Sequence, residues 1–424
     1  MRALLDDRNF RRLFLGRLVT NAGDSLYAVA AMWLVYSLSG STALTGLAGF
    51  LTMGPQALQV FVGPVVDRWS VRRLLVSTQA LQAGLLLVIP AAALVGRLSA
   101  PLVLVVMPVA AMLDQCSYPA EQSALPRIVE PDSLTAANSA FALAYQGADL
   151  VFNALAGVLV ALVGAVALYL LDSVTFAAAV VLFAGLHVPP AERAVDAAPA
   201  GYLDELREGV RFVRGTVLVW LFGASVIANA LLGLTWAVLP AFADARGGAG
   251  LYGFLLAGVA GGSLLGALVA ARFDRVPFGR LSMGAFVVSA IAWFGALASP
   301  WTVGTVALFA AAFVPVGVTN VVAASMIQRL VPGDLMGRVA ALTASVGTGA
   351  MPLGSLVGGA LGSLFGAGAV MVLGGLGFAW IVVYVAAVPS LRRLSSPAEV
   401  DTLERFRTSV ATADGLAAAP GSEG

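Results

Sequence analysis

The sequence predicts an all-α membrane protein with twelve transmembrane helices in two six-helix parallel repeats. The chain has 424 residues, of which 59% are hydrophobic and only 11% are charged, and its mean hydropathy is +0.92. A water-soluble core does not accommodate so much apolar surface. Runs of about 20 apolar residues, which suffice to cross a bilayer as a helix, recur along the chain, six on each side of a polar segment.

Six spans are predicted in each half. Those of the first half cover residues 13–36, 45–66, 73–96, 101–122, 135–161 and 165–187. Those of the second half cover residues 216–241, 250–271, 281–298, 301–326, 338–363 and 367–388. The chain therefore divides into an N-terminal half (1–190), a cytoplasmic linker (191–214), a C-terminal half (215–390) and a mobile cytoplasmic tail (391–424).

The linker and the tail are polar, except for a row of apolar residues in the linker. Leu203, Leu206, Val210 and Val213 recur on one face of the linker, which predicts an amphipathic helix at the membrane interface. In the second half, Gly354, Gly358 and Gly362 recur every four residues, a spacing that suits close helix crossing in lipid.

The arginines predict the orientation in the membrane. The chain has 24 arginines and no lysine, and only Arg97 and Arg246 fall on the outer side when the N-terminus is placed inside. This positive-inside bias predicts a plasma-membrane protein with both termini in the cytoplasm. We expect no cleavable signal sequence, because the charged N-terminus leads directly into a full-length span that carries Asp24.

The two halves are an internal repeat. Asp67, Arg68 and Arg73 recur 207 positions later as Asp274, Arg275 and Arg280. Later in each half the offset becomes 202, as for the pairs Arg127/Arg329, Gly164/Gly366 and Phe176/Phe378. An even number of spans returns the chain to the same side, so the two copies are parallel.

The loop between the second and third spans reads GPVVDRWSVRR, or G-x-x-x-D-R-x-x-x-R-R. Together with the two six-span repeats, this motif resembles the major facilitator superfamily. The segments YPAEQSALPRIVEPDSLTAANS and IQRLVPGDLMGRVAAL are similar to the branch that holds bacterial macrolide, tetracycline-type and siderophore exporters. The resemblance implies secondary transport by rocking of the two halves.

We expect a cytoplasmic gate at the two repeated loops. Asp67 would meet the start of the eleventh span near Arg338, and in the resembled family such a latch holds the outward-facing state. The alternative is that the loops only set topology. The residues assigned to the gate are Gly63, Asp67, Arg68, Arg72, Arg73, Asp274, Arg275, Arg280 and Arg338.

Acidic residues within the spans are the candidates for proton coupling. Asp24, Asp114 and Asp149 fall near mid-bilayer, where we expect no arginine. An ionised Asp at the centre of a spanning helix costs roughly 2.5 to 3.5 kcal/mol, so such residues indicate a water-filled cavity, protonation or a cationic ligand. At helical spacing they form polar stripes, and the candidate cavity residues are Asp24, Asp149, Asp114, Asn21, Tyr145, Asn153, Tyr118 and Glu121.

These features predict a proton-coupled exporter of a hydrophobic or amphipathic small molecule, drug-like or macrolide-like, that works by alternating access as a monomer among membrane lipids. The alternatives are a siderophore or metabolite exporter, and a lipid flippase or scramblase. We expect no enzyme, cofactor or nucleic-acid partner. The single histidine and single cysteine exclude a His/Cys metal cluster, no nucleotide-binding motif is present, and the net charge is only +1.

Overall fold

The computed structural model describes residues 2–56, 70–189, 211, 213–214, 216–331 and 333–396, and in this part of the chain every regular element is a helix. The helices of the first half are α1 (Arg8–Ser39), α2 (Thr42–Met53), α3 (Val71–Leu86, continued by Val88–Leu94), α4 (Ala100–Asp114, continued by Ser117–Ile128), α5 (Leu134–Val163) and α6 (Ala165–Ala184). The predicted second span extends beyond α2 into residues outside the described part.

The second half repeats this arrangement. Helix Leu218–Val269 is interrupted at Gly247 and Gly248, where the backbone is not helical, and we name its two arms α7 and α8. The remaining helices are α9 (Phe278–Ala298), α10 (Thr302–Leu330), α11 (Gly333–Phe365) and α12 (Ala367–Ala387). The predicted fold of twelve helices in two sets of six is confirmed.

Glycine turns mark the repeat in the backbone. Gly40 ends α1 with a φ of 62°, and Gly248, at an offset of 208, separates α7 from α8 with a φ of 67°. Gly164 and Gly366, at an offset of 202, join α5 to α6 and α11 to α12 with φ values of 80° and 84°. Residues with a Cβ rarely adopt these angles, so glycine is required where two long helices meet through so short a turn.

The outer surfaces of the helices suit a lipid environment. Eight helices of the described residues are long and apolar enough to cross a membrane. Large apolar side chains such as Leu94, Val303 and Ile291 are 90%, 80% and 69% exposed. In water such surface would drive association, whereas lipid tails cover it without cost.

The apolar core shows how the two halves meet. One buried cluster contains residues of both halves, for example Val29 of α1 and Tyr252 of α8. A second cluster belongs to the C-terminal half and a third to the N-terminal half, the third containing Phe10 and Leu13 near the start of α1. Among the described residues, the halves therefore share a core at the end of the bundle where α1 ends and α2 begins, and the clusters at the opposite end each belong to one half.

Close helix crossings hold this shared end together. Gly46 of α2 lies against Gly359 of α11, and the Thr42 hydroxyl donates to Gly359 O at 3.1 Å. Gly157 of α5 lies against Gly253 of α8, and a Cβ on either glycine would clash with the backbone of the other helix. The close-crossing role predicted for three glycines of α11 is confirmed: Gly354 and Gly358 lie against the α7 backbone, and Gly362 lies against Thr42 and Val238.

The segment after α12 packs against the second half. A short helix, Pro389–Arg392, is followed by buried Leu394, and the backbone N–H groups of Phe278 and Gly279 donate to Ser395 O and Leu394 O at 3.3 and 3.4 Å. The rest of the predicted tail, from residue 397, lies outside the described residues, as does most of the predicted linker helix.

Candidate functional site

A buried ion pair joins three helices of the N-terminal half. Arg17 of α1 has a side chain that is 8% exposed, and its Nε donates to Glu121 Oε2 of α4 at 3.1 Å. The same Nε lies 3.2 Å from the Tyr145 hydroxyl of α5, which in turn donates to Glu121 Oε2. Glu121 is 1% exposed. In such a setting a charge without its partner costs several kcal/mol, so the pair and its tyrosine form one unit.

Arg17 also faces a second carboxylate. Its Nη1 lies 4.0 Å from Asp114 Oδ1, an ion-pair distance that is too long for a hydrogen bond. One guanidinium therefore lies between Glu121 and Asp114. The two acids sit on opposite sides of the interruption in α4 at Gln115 and Cys116.

The expectation that no arginine is available to the buried acids was wrong. Helix α1 begins at Arg8, so Arg17 lies more than two turns inside it, and its long side chain extends to α4. Arg17, Asn21 and Asp24 are spaced by four and three residues and share one face of α1. That spacing is the signal in the sequence that could have identified Arg17.

A polar cavity of about 350 Å³ lies beside this ion pair within the N-terminal half. Its walls come from α1, α2, α3, α4 and α6. The structure places three predicted residues on it, Asn21, Asp24 and Asp114, and adds residues that the prediction did not include. The polar residues lining this cavity, which we call the acidic cavity, are Arg17, Asn21, Asp24, Ser25, Tyr27, Thr52, Gln56, Gln82, Asp114, Gln115 and Asp172.

Other predicted cavity residues lie elsewhere. Tyr118 does not join the ion pair and is 50% exposed, because the interruption in α4 breaks the helical register that was expected to align it with Asp114 and Glu121. The backbones of Asp149 and Asn153 lie in α5, one and two turns beyond Tyr145. Their side chains are outside the described part of the structure.

The predicted gate is described only in part. Gly63, Asp67, Arg68 and the Arg338 side chain lie outside the described residues. Arg72 and Arg73 line a groove of about 960 Å³ together with Arg127, at the end of the N-terminal half where α1 begins.

In the second copy of the loop, Asp274 forms an exposed ion pair with Arg329 at 3.9 Å. Both residues belong to the C-terminal half, so this pair does not cross between the halves. Arg275 and Arg280 are exposed.

The C-terminal half has a cavity at the position equivalent to the acidic cavity. In the first half, Gln82 Nε2 donates to Ala110 O at 3.3 Å. At offsets of 207 and 202, the Ser289 hydroxyl donates to Ala312 O at 2.7 Å. The two hydrogen bonds mark the same place in the two halves. We call the second cavity, of about 150 Å³, the aromatic cavity.

The equivalent positions differ in chemistry. Asp24 corresponds to Leu232, Asp114 to Val316 and Asp172 to Gly374, and all three replacements line the aromatic cavity. Leu86 corresponds to Trp293. The Trp293 ring lies 4.6 Å from that of Phe309 and 5.6 Å from that of Phe378, centroid to centroid, and its N–H donates to Met371 O at 2.8 Å. The indole of Trp293 therefore lines the second cavity at the place where the smaller Leu86 lines the first.

Comparison with known proteins agrees with this architecture. Residues 2–412 match the family model described as transmembrane secretion effector. An uncharacterized MFS-type transporter of Bacillus subtilis, YvqJ, is 26% identical over 388 residues, which cover 87% of this chain and 89% of the relative. The multidrug efflux pump Tap of Mycobacterium tuberculosis is 26% identical over 413 residues, covering 92% of this chain and 95% of Tap.

Among solved structures, the nucleoside transporter NupG superposes with a TM-score of 0.64 at 14% identity, covering 88% of this chain and 98% of NupG. The D-xylose-proton symporter superposes with a TM-score of 0.63 at 11% identity, covering 92% of this chain and 98% of the symporter. Both likenesses concern the fold alone. The family match, which spans nearly the whole chain, shows that this protein belongs to the transmembrane secretion effector family of major facilitator superfamily transporters.

Proposed function

We propose that the protein is a proton-coupled exporter of hydrophobic or amphipathic small molecules. It would work by alternating access in the plasma membrane, with both termini in the cytoplasm. One observation carries the coupling: Arg17 is buried between Glu121 and Asp114, in the half that also holds Asp24. An ionisable residue within a membrane span is a functional candidate by default.

The ion pair offers a way to couple the binding of a proton to a movement of the helices. Arg17 keeps its charge and must remain close to a carboxylate in this apolar setting. A proton on Glu121 would weaken its hold on Arg17 and favour a shift toward Asp114, 4.0 Å away. Because the two acids flank the interruption in α4, the shift would act on the bend of that helix. Tyr145 links the same event to α5, which contacts the second half through Gly157.

The arrangement of the cores supports alternating access. The halves share one apolar cluster at one end of the bundle and have separate clusters at the other. With the N-terminus in the cytoplasm, this packing of the described residues is the one expected of an inward-facing state. Two packed bodies that contact through glycine crossings can rock about that contact without rebuilding their own cores.

The substrate class rests on chemistry and on similarity. A relative named a multidrug efflux pump is 26% identical, and the equivalent cavity of the second half is lined by aromatic and aliphatic side chains. If one proton enters for each neutral molecule expelled, a potential of 100 mV supplies about 2.3 kcal/mol. That energy supports a concentration gradient on the order of 50-fold.

The proposal can be tested in proteoliposomes that carry a pH gradient. Lipophilic cations, macrolides, siderophores and labelled lipids are added in turn, and proton flux is followed for the wild type, Asp24→Asn, Asp149→Asn and Glu121→Gln. We expect flux triggered by the lipophilic class and lost in Glu121→Gln. Asp132→Asn serves as the control, because Asp132 is an exposed acid of the same half.

The other outcomes lead to different functions. Flux triggered by siderophores alone would replace the drug-like substrate by a metabolite. Lipid movement that survives a proton uncoupler would indicate a scramblase. Ligand-dependent flux that persists in all three acid variants would contradict the coupling role of these residues.

A further inference from the structure

Four side-chain oxygens on the acidic cavity have no hydrogen-bond partner. They are Asn21 Oδ1, Gln82 Oε1, Asp114 Oδ1 and Asp172 Oδ2. Gln82 and Asp172 are 1% and 0% exposed. Buried polar atoms in folded proteins nearly always have a hydrogen-bond partner, and four acceptors without one around a single cavity require an explanation.

The orientation of Gln82 follows from its neighbour. Its Nε2 donates to Ala110 O at 3.3 Å. Turning the amide around would bring two acceptor oxygens together, so Oε1 is the atom left without a donor. Asp172 is similar, since its Oδ1 accepts from the Thr175 hydroxyl at 3.0 Å while Oδ2 accepts nothing.

The described lining of the cavity holds more acids than bases. Its acids are Asp24, Asp114 and Asp172, and the one base among the described lining residues is Arg17, whose Nε already binds Glu121. Asp114 lies close enough to Asp172 for their charges to interact. Carboxylates that share a buried site cannot all stay ionised unless positive charge is supplied.

The repeat shows what happens where the charge is missing. The second half has Leu232, Val316 and Gly374 at the positions of the three aspartates, and Trp293 lines the smaller cavity there. The acidic cavity is left open, and about 350 Å³ holds an ion with several water molecules, each of which needs about 30 Å³.

We infer that the acidic cavity binds a hard inorganic cation, Na⁺ or Ca²⁺, which keeps part of its water. Carboxylate and amide oxygens are the ligands such ions prefer. Among the described residues, no three His, Cys, Asp or Glu side chains are grouped closely enough to hold a metal by themselves. Amide oxygens and water would therefore complete the coordination. The site goes beyond the proposed export, because it requires neither a transported substrate nor a proton gradient.

The experiment uses the purified full-length protein without any transport substrate. Tm and equilibrium binding of ²²Na⁺ or ⁴⁵Ca²⁺ are measured during titration with NaCl or CaCl₂, against choline chloride at equal ionic strength. We expect a saturable rise in Tm and saturable binding for one of the two ions, and the ion that saturates identifies the ligand. If neither ion raises Tm above the choline control, protons alone neutralise the cavity and the inference is overturned.

Variants separate a site from general charge screening. Gln82→Leu, Asp172→Asn and Asn21→Ala should each weaken binding at least about tenfold. Asn229→Ala removes the repeat equivalent of Asn21 from the aromatic cavity and should leave the affinity unchanged. Wild-type affinity in both Gln82→Leu and Asn21→Ala, or an equal loss in Asn229→Ala, would count against the site. A failure of proton-driven export with intact cation binding affects the proposed function alone.

Discussion

The acidic and aromatic cavities occupy the same place in two copies of one six-helix unit, and of the two only the acidic cavity has charged residues among its described lining residues. Both are framed by a hydrogen bond from the third helix of the half to the fourth, from Gln82 to Ala110 O and from Ser289 to Ala312 O. Duplication thus preserved the frame while the side chains diverged. Acids and an arginine line the cavity of the first half, and aromatic and aliphatic side chains, among them an indole, line that of the second.

On the proposed mechanism, this difference separates two roles that a rocking transporter needs. The N-terminal half holds groups that can change protonation, and its buried polar atoms are incompletely paired. The cavity of the C-terminal half is packed by aromatic rings at centroid distances between 4.6 and 6.3 Å. We interpret the second half as the more rigid body, against which the first half would change its charge state if the proposed proton coupling holds.

The largest expected effect comes from removing the buried arginine. Arg17→Leu leaves Glu121 charged and unpaired, which should lower the free energy of unfolding by about 3 to 5 kcal/mol and abolish proton flux. The double variant Arg17→Leu/Glu121→Leu should recover part of the stability and none of the flux. Ser225→Ala, at the equivalent position of α7, is the control. Tm and proteoliposome flux are the measurements, and a wild-type Tm for Arg17→Leu would rule out a structural ion pair.

A comparable loss of stability should follow from enlarging the aromatic cavity. Trp293 is 2% exposed and contacts Phe309 and Phe378. Trp293→Ala creates a void, with an expected cost of about 3 kcal/mol. The Tm of the purified variant tests this, and a Tm within error of the wild type would mean that the indole is not what fills the second half.

A smaller effect is expected at the contact between the halves. Gly157→Val inserts a side chain where α5 and α8 touch, and overpacking of this kind costs about 1 to 3 kcal/mol. The strain should shift the population toward a state that opens at this end. Gly147→Val on the same helix is the matched control, because nothing lies within 4 Å of a Cβ there.

Spin labels at Ser37 and Ala245, two exposed and repeat-equivalent positions near the ends of α1 and α7, report the opening. The background is Cys116→Ser, since Cys116 is the single cysteine of the chain. The distance between the labels should lengthen in Gly157→Val and not in Gly147→Val. Equal distances in both variants would show that the α5–α8 crossing does not control this end.

The smallest effect is expected at the exposed pair of the C-terminal half. Asp274 and Arg329 are each more than 40% exposed and lie 3.9 Å apart. Exposed ion pairs contribute at most about 1 kcal/mol, so Asp274→Asn should change Tm by no more than a few degrees. A large fall in Tm or in transport would mean that Asp274 has a partner in another conformation, as the gate hypothesis requires.

The sequence alone determined the architecture and much of the composition of the site. The spans are long apolar runs, and pairs of glycines 202 to 208 positions apart reveal the repeat. Both signals can be read from the sequence because membrane insertion and tight turns depend on local chemistry. The same local rules located Asn21, Asp24, Asp114 and Glu121 as unusual residues.

Only the tertiary structure decided which of these residues meet. The pairing of Arg17 with Glu121 spans 104 positions, and it depends on how α1 packs against α4 and on where α4 is interrupted. The place of Gln82 on the acidic cavity and that of Trp293 on the aromatic cavity likewise depend on helix rotation. Spacing along a helix fixes which residues share a face, but the packing of other helices determines what that face meets.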